Sequence, residues 1–102
     1  MPAIIKGVRG PYGISVTIDC EPLPHIERHS PDGFEWAYAG SGPADLARSM
    51  LIAAGVPVKQ ADTLYQEFKW QIVAALPYGG FEIGLDQIQD WVLEQLTAER
   101  TN

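Results

Sequence analysis

The strongest structural signal in the chain is the stretch ISVTID, Ile14–Asp19, in which apolar and polar residues alternate strictly. This alternation places its three apolar side chains on one face and is typical of a half-buried β-strand. The apolar segment Ile4–Val8 precedes it, and the Pro- and Gly-containing residues Gly10–Gly13 separate the two. Because Pro and Gly favour tight turns, the first twenty residues are predicted to form an antiparallel hairpin.

A loop, a third strand and a helix are predicted next. Residues 20–33 contain three prolines, which oppose both helix and strand pairing, so this segment is expected to be a loop. Alternation returns at Phe34–Tyr38, which is predicted to be the third strand. The stretch GSGPAD, Gly40–Asp45, then favours a helix start, with Ser41 or Gly42 as the cap and Pro at the first helical position. Asp45 would lie in the first turn, where the helix dipole favours a carboxylate.

The second half of the chain is predicted to be helical around one short strand. Apolar residues recur every three or four positions from Val58 to Leu76, as in an amphipathic helix. A short strand at Phe81–Ile83 and a last helix at Leu85–Glu99 follow. The order βββ-αα-β-α predicts an α+β fold, a small antiparallel sheet with three helices packed on one face. We expect a single domain over residues 1–102, ordered from about 4 to 98, with 99–102 as a tail.

The composition excludes several classes of function. The 102 residues carry a net charge of −6, which argues against direct nucleic-acid binding because that needs a basic face. The longest apolar run is far short of the roughly 18 residues that a membrane span requires. Cys20 is the only cysteine, which excludes an intrachain disulfide and favours the cytoplasm. We therefore expect neither nucleic acid nor membrane as a partner.

Negative charge is concentrated in the last 43 residues, which hold seven acidic residues against two basic ones. Asp86, Asp90 and Glu94 repeat every four positions, so they share one face of the last predicted helix. Trp91 borders this stripe, and an exposed Trp suits a protein interface. We hypothesise that these four residues bind a protein partner with a basic surface. The alternatives are a solvated acidic face and a core position for the Trp.

A second candidate site is the predicted strand-to-helix turn. The N–H groups and dipole of a helix start attract anions, which favours a small-ligand or anion site there. Its candidate residues are Gly40, Ser41, Gly42, Glu35 and His29. The alternative is that the glycines only permit the bend.

Glu35 is expected to point to the opposite face of its strand from the aromatic residues on either side. A buried carboxylate there would need a partner, for which Arg9, Lys69 and His29 are candidates. A small enzyme using His29, Glu35 and Ser41 is a third hypothesis, but no nucleophile or phosphate-loop motif supports it. No catalytic residue, metal site or cofactor is predicted, since a structural zinc site needs four ligands and the chain has one cysteine.

The segment His29–Ala47, HSPDGFEWAYAGSGPADLA, resembles the core signature of a family of small uncharacterised proteins from bacteria, phages and mobile elements. Tyr65–Trp70 and Phe81–Trp91 are similar to that family's later helix and its closing strand and helix. The resemblance implies the fold and no chemistry. Ala37 stands where the family pattern has Gly, which argues against a positive φ at this position.

Together, the resemblance and the acidic stripe predict a non-enzymatic interaction module. We expect an inhibitor or accessory factor of a phage or mobile element, with its oligomeric state left open.

Overall fold

A computed structural model describes residues 3–11, 13–25 and 33–100, with side chains as far as Thr97. Its strands are β1 (Ile4–Gly10), β2 (Gly13–Ile18), β3 (Glu21–Pro22) and β4 (Gly80–Gly84). Its α-helices are α1 (Ser41–Ala53), α2 (Val58–Gln71) and α3 (Leu85–Arg100), and a 3-10 helix covers Val73–Ala75. The prediction of an α+β fold is confirmed. None of the described helices is long and apolar enough to cross a membrane.

The four strands form one antiparallel sheet in the order β3-β2-β1-β4. The predicted hairpin is confirmed: β1 pairs with β2 from Ile5↔Ile18 to Gly10↔Gly13. Ile5 and Val16 are buried on the inner face, whereas Ile4 and Val8 face outward and are exposed. Gly7 pairs with Phe81 of β4, and any side chain at Gly7 would overlap the Phe81 ring. Close approach of that ring therefore requires glycine at this point of β1.

The third strand is not the predicted one: β3 lies within the segment 20–33 that was expected to be a loop. Asp19 and Cys20 both have positive φ, 47° and 70°, and form a two-residue turn between β2 and β3. Turns of this kind match the twist of the flanking strands. Pro22 is tolerated because β3 is a short edge strand.

The predicted strand at Phe34–Tyr38 is wrong, since this segment is irregular. Ala37 has φ +73°, so the expectation against positive φ here is also wrong. The turn at Ala37 separates a fully buried Trp36 from Tyr38, which is 52% exposed. The Trp36 indole N–H donates to the Pro77 carbonyl at 2.9 Å, and the Ala37 N–H donates to the Val73 carbonyl at 3.1 Å. Contacts with a distant loop therefore override the local strand pattern.

The helices begin close to the predicted positions. Gly40 is the N-cap of α1, with no side-chain cap, so Pro43 is the third helical residue and the capping by Ser41 or Gly42 is not observed. The helix expected to continue to Leu76 ends at Gln71 and is followed by the 3-10 helix. α3 follows β4 directly, as predicted.

The core lies between the inner face of the sheet and the helices. Its largest fully buried side chains include Trp36, Phe68, Leu46, Met50 and Ile88. Aromatic rings meet edge to face in two pairs, Trp36 with Phe81 and Phe68 with Trp91, each with centroids 5.0 Å apart. Such pairs stabilise beyond the area they bury.

Candidate functional site

A cavity lies beside the start of α1, where the sequence predicts a small-ligand or anion site. Its volume is about 450 Å³. Ser41, Gly42 and Glu35 line it together, so three of the predicted residues share one space. The other described lining residues are Gly13, Ile14 and Val16 of β2, with Gly33, Phe34 and Tyr38. His29 lies outside the described residues.

The first turn of α1 packs directly on the segment that carries Glu35. A Cβ atom at Gly42 would lie 2.8 Å from the Glu35 Cβ and 3.3 Å from the Gly33 carbonyl oxygen. Gly42 is therefore required for packing, which agrees with the alternative that the glycines serve the bend. At Gly40, a side chain would meet the Tyr38 ring.

Asp45 does not face this cavity. Its side chain is fully buried, and a carboxylate oxygen lies 2.8 Å from Nε2 of His25. The His25 ring in turn packs on Phe34, with centroids 4.4 Å apart. Asp45 therefore joins α1 to the chain that leaves β3. The expectation of a dipole-stabilised carboxylate in the first turn is wrong. Asp45 is the fifth residue of α1, one position beyond the first turn, and it is buried.

Glu35 is held by Arg9, one of its three predicted partners. Arg9 Nη1 and Nη2 donate to the two carboxylate oxygens at 3.1 and 2.7 Å. The same guanidinium lies 4.4 Å from the Trp36 ring centroid and 3.8 Å from that of Tyr78, and Nε donates to the Tyr78 carbonyl. We call Arg9, Glu35, Trp36 and Tyr78 the Arg9 junction. It joins β1 to two loops that are far apart in the sequence.

The Arg9 junction favours the charged form of both its ionic groups. The hydrogen bonds from Arg9 hold the pKa of the Glu35 carboxyl below its ordinary value, and a further hydrogen bond from the Trp36 N–H acts in the same direction. The hydrogen bonds to Glu35 likewise raise the pKa of Arg9. A carboxylate whose pKa is lowered and whose two oxygens accept hydrogen bonds from arginine is a poor general base. Glu35 therefore has the properties of a structural residue.

The acidic residues of α3 have different surroundings. Asp86, Asp90 and Glu94 are exposed, and no described basic side chain forms an ion pair with any of them. Leu93 is 61% exposed. At 3.6 residues per turn, these four side chains fall within an arc of about 100° on α3. We call these four residues the acidic face.

Trp91 is not part of the acidic face. It is 7% exposed, its ring packs on Phe68, and its indole N–H donates to the Gln71 side chain at 2.9 Å. The core alternative is therefore the one observed. Leu93 is the residue that sequence reasoning missed. Helical spacing could have identified it. Leu93 follows the buried Val92 by one residue and therefore lies about 100° further around the helix.

No metal site or disulfide is found in the described ranges. No three His, Cys, Asp or Glu side chains within these ranges come close enough to share an ion. Cys20 is a free, exposed thiol in the turn before β3.

Comparison with known proteins identifies a family but no function. A family of unknown function, DUF6166, matches residues 5–94. No curated protein and no solved structure matches the chain. The match covers the whole sheet except the start of β1, together with α1, α2 and most of α3. The chain therefore belongs to the DUF6166 family.

Proposed function

We propose that this chain is a protein-interaction module that binds a basic partner through the acidic face of α3. The observation that carries the proposal is the absence, among the described side chains, of any basic group paired with Asp86, Asp90 or Glu94. Like charges four residues apart on a helix cost a few tenths of a kcal/mol per pair. The sequence therefore keeps a small local repulsion on this face.

Several described basic residues pair with acidic residues that lie outside the acidic face. Arg9 pairs with Glu35, and Arg48 pairs with Asp62 at 2.7 Å across α1 and α2. Lys6 lies 3.8 Å from Glu82 on the sheet. These bases pair with acids elsewhere on the molecule, so no described basic side chain cancels the negative potential at the acidic face.

Leu93 adds exposed apolar surface at one edge of the acidic face. A basic segment could place lysine or arginine beside the carboxylates and an apolar side chain on Leu93. Charge complementarity would steer the encounter and make it salt-sensitive. A role as an inhibitor or accessory factor of a phage or mobile element, in a reducing cytoplasm that suits the free Cys20 thiol, belongs to this proposal.

A pull-down from lysate with charge-reversed chains tests the proposal. The wild-type chain should show salt-sensitive retention of a partner, and Asp90→Lys with Glu94→Lys should abolish it. Glu21→Lys with Glu82→Lys is the matched control, because it makes the same change in net charge at two exposed positions on the sheet. Unchanged retention by the α3 variant, or equal loss by both variants, would contradict the proposal.

Ligand binding in the cavity beside α1 is a second candidate function. The observation in its favour is the volume of about 450 Å³, which falls in the usual range for small-ligand sites. Titration with inorganic phosphate or small organic ligands should then shift the amide resonances of Ser41, Gly42 and Phe34. The absence of any shift with either class would contradict it.

A further inference from the structure

We infer that the basic partner of the acidic face is an amphipathic helix, which lies in a groove between α2 and α3 with its basic flank over Asp90. This identity of the partner rests on the function proposed above. The groove has a volume of about 420 Å³. Its described lining residues are Lys59, Gln60, Thr63 and Leu64 of α2 and Leu96 of α3.

The two walls of the groove are held by the contact between α2 and α3. The Trp91 ring packs on Phe68 with centroids 5.0 Å apart, and its indole N–H donates to the Gln71 side chain. Leu64 lies four residues before Phe68, and Leu96 lies five residues after Trp91. The groove is therefore about one to one and a half helical turns from a packed aromatic contact, which sets the separation of its walls.

Leu93 connects the groove to the acidic face. It lies three residues before Leu96 and three residues after Asp90, and three residues correspond to a rotation of about 60° around a helix. Leu96 and Asp90 therefore lie on opposite sides of Leu93. Leu93 is 61% exposed, whereas Leu64 is buried and Leu96 is partly buried. Apolar surface thus runs from the groove over Leu93 and meets negative charge at Asp90.

The walls of the groove favour a helical occupant over an extended one. Thr63, Leu64 and Leu96 lie within helices, whose backbone N–H and C=O groups are bonded inside the helix. An extended segment in the groove would leave its own backbone groups facing these side chains without partners, which costs free energy. A helix satisfies those groups internally and presents apolar side chains at positions i, i+3 or i+4, and i+7.

Charge selects a basic helix from another protein. The α3 segment Leu85–Arg100 carries four acidic residues and one basic residue. A second copy of this chain would bring its own net charge of −6, so like charge opposes self-association. Residues 98–102, AERTN, contain no large apolar side chain to fill the groove. A basic amphipathic helix gains apolar burial in the groove and charge complementarity at Asp90.

Selection from a display library of helical peptides on the immobilised wild-type chain provides the first test. Selected peptides should carry apolar residues at i, i+3 or i+4, and i+7, with Lys or Arg along one flank. In methyl spectra of the wild-type chain, they should shift the resonances of Leu64, Leu93 and Leu96. Failure to select any peptide, or selected peptides that shift none of these methyl groups, would overturn the inference.

Thr63→Trp provides the second test, because it places a large side chain in the groove and leaves the acidic face unchanged. Thr63 is exposed, and its substitution should weaken binding of the selected peptides about tenfold or more. Gln66→Trp is the matched control, since Gln66 is exposed on α2 and is not among the described lining residues. It should change binding by less than about twofold. Equal effects of the two substitutions would overturn the inference.

A partner retained in the pull-down separates this inference from the proposed function. Loss of the partner by the chain with Asp90→Lys and Glu94→Lys, with full retention by Thr63→Trp, would overturn the groove and leave the proposed function standing. Loss in both variants, with Gln66→Trp unchanged, would support both. Retention by the chain with Asp90→Lys and Glu94→Lys would contradict the proposed function and, with it, the basic flank of the inferred helix.

Discussion

Glu35 and Glu94 are carboxylates of the same acidic chain, but their surroundings differ. Glu35 accepts two hydrogen bonds from Arg9 and one from the Trp36 N–H, and its side chain is 31% exposed. Glu94 is exposed, and no described basic group pairs with it. The Arg9 junction uses charge to connect segments distant in the sequence, whereas the acidic face leaves charge available to solvent or to a partner.

The difference shows how one class of residue can serve two purposes. A bidentate arginine–carboxylate pair that also packs between aromatic rings contributes to folding through several contacts at once. Isolated exposed acids contribute little to folding, so changes there should act mainly on binding. Loss of stability should therefore follow substitutions in the Arg9 junction, and loss of binding should follow substitutions in the acidic face.

The largest expected effect is that of Arg9→Ala. It removes both bonds to Glu35 and the contacts with Trp36 and Tyr78, and should lower the free energy of unfolding by about 2–3 kcal/mol. Lys6→Ala is the matched control on the same strand, because the Lys6 and Glu82 side chains are 55% and 66% exposed. Lys6→Ala should change the free energy of unfolding by less than about 0.5 kcal/mol. Urea unfolding measures both variants. A similar loss of unfolding free energy in the two would contradict the claim that Arg9 stabilises the fold more than an exposed lysine does.

Acid should weaken the Arg9 junction. Because the pKa of Glu35 is lowered in the folded chain, its contribution is full above the unfolded pKa of about 4.3 and is lost as the pH falls through the folded value. Unfolding measured from pH 7 down to pH 3 should show the stability advantage of the wild type over Glu35→Gln shrinking below about pH 4. An advantage that is constant over this range would contradict the ionic role of Glu35.

Ala37→Gly should stabilise the chain. Ala37 has φ +73°, where an L-residue with a Cβ is strained, so glycine should raise the free energy of unfolding by about 1 kcal/mol. Ala39→Gly is the control, because φ at Ala39 is not positive and only the flexibility of the unfolded chain increases. Thermal unfolding should separate the two substitutions in sign. Destabilisation by both would contradict strain at Ala37.

The smallest expected effect on stability belongs to the acidic face. Asp90→Lys converts two like-charge neighbours, Asp86 and Glu94, into opposite-charge ones. It should raise the free energy of unfolding by a few tenths of a kcal/mol, about 0.5 at most. A loss as large as that of Arg9→Ala would mean that Asp90 has a structural role.

Sequence periodicity predicted the regular elements well and the irregular ones poorly. The alternation of Ile14–Asp19 and the three-to-four spacing in the helices report which face is buried, and most of these elements form where expected. Phe34–Tyr38 alternates equally well but is irregular, because Trp36 is positioned by Pro77, 41 residues away. A local pattern carries no information about such a contact.

The candidate sites show the same limit. Helical spacing places Asp86, Asp90 and Glu94 on one face, and their exposure agrees with it. Arg9 was one of three possible partners for Glu35, and only the tertiary structure selects it. The burial of Asp45 against His25 was missed, since the two residues are 20 positions apart and no local pattern links them.

The division between the Arg9 junction and the acidic face is tested most directly by amide chemical shifts of the wild-type chain, recorded with and without a partner identified in the pull-down. The account predicts shift changes along residues 86–97 of α3, with the amides of Glu35 and Trp36 unchanged. Shift changes at Glu35 and Trp36, with α3 unaffected, would contradict it.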